Sequence, residues 1–451
     1  MTDHLRALLT AILPTITVGL LSPAFMSSQQ KTSWQDCQTK GESAFQSGRY
    51  SDAERLFLAA QKAADQAGAS NLELVPLWCD LAAVYQSEAR FPDAEALFRR
   101  ALEELKTHAT TFAPQAAGVE EKLAAVYADE GRYDIAERLA KEALSVQETT
   151  SSPELTTTLR ALGSIKTAQG DYVEARRLHE RALELDQQMR LPIVAFDLAC
   201  VARDTYKIGN FEAAKALFQQ SLSSFESQSG YKPEEYAIVL DNFARLEQSR
   251  GDLKEAEQLF QRALAIWQHV LGPRHPSIAS GLSNLAGLYS SRRKWTQAEE
   301  LYRQALDIDR AALGENTSQV ARDLNNLAFV CFERHRIEEA QSLLEHSLEI
   351  SEHSGAGATA DHAIAEANLA RVYAAEKRYD ESDRLFERAV ALLTTVSGAH
   401  DPSLTPVLES YSAVLREQHK FAEAEQVQLR ATSIRVAVAL TRESSASLRS
   451  F

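Results

Sequence analysis

Apolar positions along this chain fall in paired stripes at helical spacing. In 281 to 308, GLSNLAGLYSSRRKWTQAEELYRQALDI, one stripe is Leu282, Leu285, Ala286 and Tyr289, and a second is Ala298, Leu301, Tyr302 and Ala305. Arg292, Arg293 and Lys294 between them predict a short polar turn, and two amphipathic helices so closely joined pack antiparallel. Ala286, Ala298 and Ala305 stand where the two backbones approach most closely, and a larger side chain there pushes the pair apart.

The same pairing recurs. A small residue marks one phase at Ala53, Ala94, Ala136, Ala175, Ala214, Ala256, Ala298, Ala340, Ser382 and Ala424, with gaps of 41, 42, 39, 39, 42, 42, 42, 42 and 42 residues. Such a period predicts stacked helix-turn-helix units that bury their apolar faces against their neighbours, an all-α solenoid. Ten repeats follow, with first helical positions near Trp34, Val75, Ala117, Thr156, Ala195, Ala237, Ala279, Ala321, Ala363 and Thr405. Four positions depart from the pattern and predict looser packing: Lys40 in repeat 1, Lys166 and His179 in repeat 4, and Gln428 in repeat 10. Gly230, Gly272, Gly314 and Gly398 share one phase past the second helices, where a left-handed residue ends a helix, and Pro233, Pro273, Pro276 and Pro402 block continuation.

The pattern Leu285-Ala286, Tyr289, Trp295, Ala298, Tyr302 and Ala305 resembles the tetratricopeptide repeat, a unit of 34 residues extended here to 42. The phrase Leu324-Asn325-Asn326-Leu327-Ala328 and the connector Leu271-Gly272-Pro273-Arg274-His275-Pro276 resemble the kinesin-light-chain type of that repeat. The resemblance covers Trp34 to Val438 and implies a right-handed α-solenoid of about ten units whose concave face binds protein segments.

Composition sets limits on chemistry. A net charge of −15 weighs against nucleic acid as a partner, since phosphates require a basic stripe. Cys37, Cys79, Cys200 and Cys331 fall in repeats 1, 2, 5 and 8; only the first two could meet, and all four read as small apolar residues in helix interfaces. With no Cys-x-x-Cys or His-x-x-x-His, no metal is expected, and no cofactor. Gly355-Ala356-Gly357-Ala358-Thr359-Ala360 has a loose dinucleotide-binding look but follows a helix, and reads as a connector. No nucleophile, base and orienting group come together, so no enzyme is expected.

The ends differ from the body. Arg6, the apolar run Ala7 to Leu21 and Ser22-Pro23-Ala24 resemble a secretory signal, although Asp3 and Pro14 dilute it; export and a cytoplasmic location both stand. The run is too short to span a bilayer, so stable membrane insertion is not expected. The division is 1–30 as signal or unstructured segment, 31–229 as repeats 1–5, 230–440 as repeats 6–10 and 441–451 as a polar tail. Val436 to Leu440 ends the last helix with no polar capping helix, which suggests end-to-end self-association or docking of a partner helix, with fraying in solution as the plainer reading.

On each first helix, positions 4, 7, 8 and 11 form the buried stripe and 2, 6, 9 and 13 the opposite, inner one. Position 6 is Asn242, Asn284, Asn326 and Asn368 in repeats 6 to 9, while Thr39, Asp80, Lys122, Ala161 and Cys200 hold it in repeats 1 to 5. Asn is a mediocre helix former, so four in one phase need a cause. Two causes stand: the carboxamides pair with the peptide groups of an extended partner, or they bond the adjacent repeat and fix the stacking angle. In kinesin-light-chain-like repeats the resemblance implies the first. Arg245, Arg322, Phe329 and Arg371 then supply specificity. The expected function is a non-catalytic adaptor for extended segments of a protein partner, with a peptide-responsive sensor that gates a partner as the alternative.

Overall fold

Each paired stripe forms a pair of helices. The computed structural model describes residues 28–107, 109–150, 154–228, 230–353 and 359–447, and these hold twenty helices and no strand. The signal-like run, most of the glycine-rich connector and the last four residues lie outside them. Helices pair in chain order into ten hairpins, from Ser28–Gln46 with Tyr50–Gln66 to Leu404–Glu417 with Phe421–Ser447. The last helix continues to Ser447, so the stretch expected as a tail from residue 441 begins as helix.

The phase residues explain why the hairpins close. All ten, from Ala53 to Ala424, have 0% exposure, so their Cβ atoms sit in the helix-helix contact and leave no room for a longer side chain. Ser382, the one polar member, donates its hydroxyl to Ala370 O at 2.8 Å and so meets no unsatisfied burial. Asp171, Asn210 and Asp252 cap second helices by accepting from Glu174, Ala213 and Glu255 amides at 3.3, 3.2 and 3.1 Å. The connector glycines at 230, 272, 314 and 398 all have positive φ, as their phase predicts.

The chain forms two compact units, residues 1–281 and 282–451. The first takes in repeats 1 to 6, and the second the rest of repeat 7 through repeat 10. The packing boundary falls inside the first helix of repeat 7, Pro276–Ser291.

Repeat 4 is not loosely packed. His179, at a site where most repeats place an aromatic ring, is buried; its Nδ1 lies 2.5 Å from Asp204 Oδ2 and its Nε2 3.2 Å from Arg160 O. Arg160 Nη1 bonds Asp186 at 2.7 Å and Asp197 at 3.1 Å, with these side chains 6%, 0% and 0% exposed. Lys166 pairs with Glu137 at 2.7 Å. His179 and Arg160 therefore belong to a bonded layer between repeats 4 and 5, while Lys166 bonds back to repeat 3. In repeat 10, Phe421, Leu429 and Val436 of the last helix are 63%, 62% and 51% exposed.

Candidate functional site

The first helices of repeats 6 to 9 position the Asn phase. They are Pro233–Arg250, Pro276–Ser291, Ser318–Glu333 and Ala360–Ala375. In the first compact unit Asn242 is 8% exposed beside buried Ile238, and Arg245 is half-buried one turn on. In the second, Asn284, Asn326 and Asn368 are half-buried, so the phase lies at the edge of solvent and not fully out in it.

The members are not equivalent. Asn368 Nδ2 donates to Asn325 Oδ1 at 2.8 Å, a bond between the first helices of repeats 9 and 8. One carboxamide of the phase is thus used in stacking, and its partner is the buried residue just before the next member, Asn326. That role was written in the Asn325-Asn326 pair but is invisible without the stacking geometry. Ser283 makes the corresponding link one repeat earlier, donating to Asp323 Oδ1 at 3.0 Å. Asn326 itself has no hydrogen-bond partner among the described residues, although half-buried.

The side chains expected to give specificity are partly tied down. Arg371 pairs with Glu333 at 2.7 Å, and its guanidinium lies 4.6 Å from the Phe332 ring centroid and 5.5 Å from that of Phe329. Phe329 meets Trp295 edge to face at 6.2 Å. Arg322 approaches Asp361 at 3.9 Å. Four half-buried groups, Trp295, Phe329, Phe332 and Arg371, thus form a platform beside Asn326 and Asn368, with Glu333 as its counter-charge. An aromatic and guanidinium surface of this kind accepts flat or apolar side chains by stacking, while the neighbouring carboxamides offer hydrogen bonds to a main chain.

Nearby ionic groups serve the turns. Glu299 takes Arg336 at 2.6 Å and Arg303 at 2.9 Å, and also bonds Arg334. Burial pushes its carboxyl up, but the Arg336 and Arg303 guanidiniums outweigh this and hold it below the usual carboxylate range. Glu247, Asp252 and Glu255 in repeat 6 bring three carboxylates together, yet Lys215 lies 3.1 Å from Glu247 and 3.0 Å from Glu255, and Arg250 lies 3.0 Å from Glu247. That cluster is an ion-pair network supplied with its own cations. No helix among the described residues is long and apolar enough to cross a membrane.

A family model described as Tetratricopeptide repeat matches residues 115–188, 196–269, 235–311, 277–353 and 361–435. No curated protein matches the chain in sequence. Among solved structures, the chain is similar to the nearly identical TPR-like repeats of a putative kinesin light chain from Podosopora anserina, at 23% identity over 45% of this chain and 97% of that one, TM-score 0.38. It is similar to the apo form of the quorum sensor NprR from B. thuringiensis, at 13% identity over 80% and 98%, TM-score 0.51. It is also similar to aspartyl phosphate phosphatase F from Bacillus subtilis, at 12% identity over 92% and 96%, TM-score 0.51. Identities this low speak to fold alone. The repeats indicate a protein-interaction scaffold or sensor, and their fold is generally non-catalytic. With its matched segments spanning more than half of the sequence and its ten hairpins in phase, the chain belongs to the tetratricopeptide repeat family.

Proposed function

We propose that the protein is a non-catalytic adaptor that holds an extended segment of a partner protein along the first helices of repeats 7 to 9, in the second compact unit. The observation that carries this reading is Asn326: it keeps the phase of the ladder and stands half-buried, yet it makes no hydrogen bond that would explain it as a stacking device. A carboxamide in that position has two donors and an acceptor to offer a peptide group. Asn368 divides its capacity, since one donor is spent on Asn325 and the acceptor remains. The platform of Trp295, Phe329, Phe332 and Arg371 beside them supports recognition of a large side chain in the bound segment.

The test is affinity capture by the intact protein against a variant with Asn242, Asn284, Asn326 and Asn368 all changed to Ala, followed by the single changes Asn326→Ala and Asn368→Ala. Prey lost by the quadruple variant with helicity retained, and with melting lowered no further than by Asn368→Ala alone, supports the clamp. Asn326→Ala is expected to weaken capture without lowering the melting temperature, whereas Asn368→Ala lowers both. A quadruple variant that captures the same prey as the parent removes the proposal.

A sensor reading is favoured by one contact. Gly48, in the turn of repeat 1, lies against His275, in the connector that follows repeat 6; a Cβ on Gly48 would stand 2.8 Å from the imidazole Cδ2 and 3.1 Å from the His275 Cα. The first compact unit thus returns upon itself, and a ligand that changed its curvature would disturb this contact. A change in the His275 proton resonances on addition of a captured peptide is the result that would move the proposal from adaptor to sensor.

A further inference from the structure

All ten hairpin turns close with one backbone geometry. The amide of the turn residue bonds the carbonyl three residues back and the next amide reaches the carbonyl five back, as in Gly131 N to Ala128 O at 3.0 Å with Arg132 N to Tyr127 O at 2.8 Å. Repeat 7 repeats it in Arg293 N to Ser290 O and Lys294 N to Tyr289 O, both at 2.9 Å. This cap requires its turn residue in the left-handed region, where glycine alone is free of steric cost. Repeats 1 to 6 place Gly48, Ala89, Gly131, Gly170, Gly209 and Gly251 there. Repeats 7 to 10 place Arg293, His335, Lys377 and His419, at φ of 55°, 61°, 63° and 62°.

Four basic residues in succession at a strained position need a cause outside the turn. Attraction to the negative end of the preceding helix does not supply it, because the next residue already provides a cation in each case: Lys294, Arg336, Arg378 and Lys420. Those cations are engaged, Lys294 over the Tyr289 ring at 5.0 Å, Arg336 with Glu299 at 2.6 Å, Arg378 with Glu381 at 2.6 Å and Lys420 with Asp383 at 2.6 Å. The strained residues are exposed, and among the described residues none of the four has an ion pair. His419 has only a ring contact with Phe421, at 5.8 Å. Repeats 1 to 3 keep the helix-end cation at Arg49, Arg90 and Arg132 while leaving the left-handed position to Gly or Ala, so the second cation is dispensable for the fold.

We propose that Arg293, His335, Lys377 and His419 form a docking edge for an acidic polypeptide segment. The edge stands at the C-terminal ends of the first helices of repeats 7 to 10. Carboxylates stand close to it in sequence: Glu338 and Asp380 are exposed, and the exposed Glu376 and Glu381 pair with Arg378 at 3.0 and 2.6 Å. A uniformly anionic surface, such as a lipid headgroup layer or a nucleic-acid backbone, would be pressed against those carboxylates as well. A polypeptide with spaced Asp and Glu pairs with the Arg293 and Lys377 cations, offers its carboxylates to the two imidazoles as hydrogen-bond acceptors, and avoids Glu338, Glu376, Asp380 and Glu381. The proposal extends the peptide-holding reading and rests on it only in taking polypeptide as the occupant.

The experiment uses the full chain and a fluorescent poly-L-glutamate of roughly thirty residues at low salt, long enough to pass several repeats. The variant is Arg293→Gly, His335→Gly, Lys377→Gly and His419→Gly together, which gives each cap the residue its geometry prefers. It is expected to melt no lower than the parent and to bind poly-L-glutamate at least ten-fold more weakly, while the quadruple Asn→Ala variant binds it as the parent does. Loss of poly-L-glutamate binding in the Asn variant instead would assign the probe to the groove and overturn the edge. So would equal binding by parent and Gly variant, a Gly variant that melts lower, or tighter parental binding to single-stranded DNA or to vesicles of phosphatidylserine than to poly-L-glutamate.

Discussion

Replacing Arg160 with Met isolates what the polar layer between repeats 4 and 5 contributes. Its guanidinium is 6% exposed and bonds two carboxylates that are 0% exposed, Asp186 at 2.7 Å and Asp197 at 3.1 Å. Removing one partner of a buried ion cluster costs about 3–5 kcal/mol, because the opposite charges stay buried and uncompensated. The pH dependence gives the signature. Burial pushes the Asp197 carboxyl up to about 7, against the opposing pull of Arg160, from an ordinary value of 3.8. The folded state therefore holds a proton that the unfolded chain has released, and this group's contribution to stability falls as pH rises from about 4 to about 7. Without Arg160 the penalty at pH 8 deepens, and at pH 5 protonation of the Asp197 carboxyl relieves part of it. Urea unfolding followed by circular dichroism at pH 8 and pH 5 reads the difference, taken as midpoint shifts because a repeat array need not unfold in two states. The triple change Arg160→Met, Asp186→Asn and Asp197→Asn should recover most of the loss. A single variant within about 1 kcal/mol of the parent at pH 8, or one with the same loss at both pH values, would refute the reasoning.

Three further outcomes follow from individual contacts. Ala89 occupies the left-handed turn position of repeat 2 at φ 58°, so Ala89→Gly should stabilise the chain by about 1 kcal/mol in thermal melts. A Cβ on Gly163 would stand 2.6 Å from Nε2 of His179, which Asp204 holds at 2.5 Å, so Gly163→Ala should cost about 1–3 kcal/mol by the same measurement. Burial depresses His275 to about 4 from 6.5, and Ser277 N donates to its Nδ1 at 3.1 Å. The unfolded chain then binds the proton first, so stability is full above about 6.5 and is lost as pH falls toward 4, a loss that His275→Gln should remove from acid titrations.

The hairpins, their number and their closest contacts were legible because each depends on residues a few positions apart, and a period repeats the signal until chance is excluded. Ala298 and Ala305 could be placed in the interface from their own stripe. What stayed hidden depends on stacking. Asp186 lies 26 residues from Arg160, and Asp197 lies 37 away in the next repeat, so the layer reads in sequence as three unrelated polar residues. His179 looked like a packing fault for the same reason. Likewise, the bond from Asn368 to Asn325 spans 43 residues and joins adjacent phases, not the same phase, so a ladder read at 42 residues misses it. The basic turn residues were visible as polar turn, but their cost depends on φ, which only the backbone shows.

The two repeated features also separate from one another. A block of repeats duplicated whole would carry both in the same members, yet the Asn phase occupies repeats 6 to 9 and the basic left-handed turns occupy repeats 7 to 10. Repeat 6 joins Asn242 to a glycine turn at Gly251, and repeat 10 joins His419 to Ser410 at the Asn position. Each feature is therefore free to vary without the other, and a common origin does not account for both. A carboxamide held at half burial and a cation held in a strained turn also answer to different chemistry, main-chain hydrogen bonding for one and carboxylate attraction for the other. Separate loss of the two in the Asn→Ala and turn→Gly variants is what a partner with an extended segment next to an acidic one would produce.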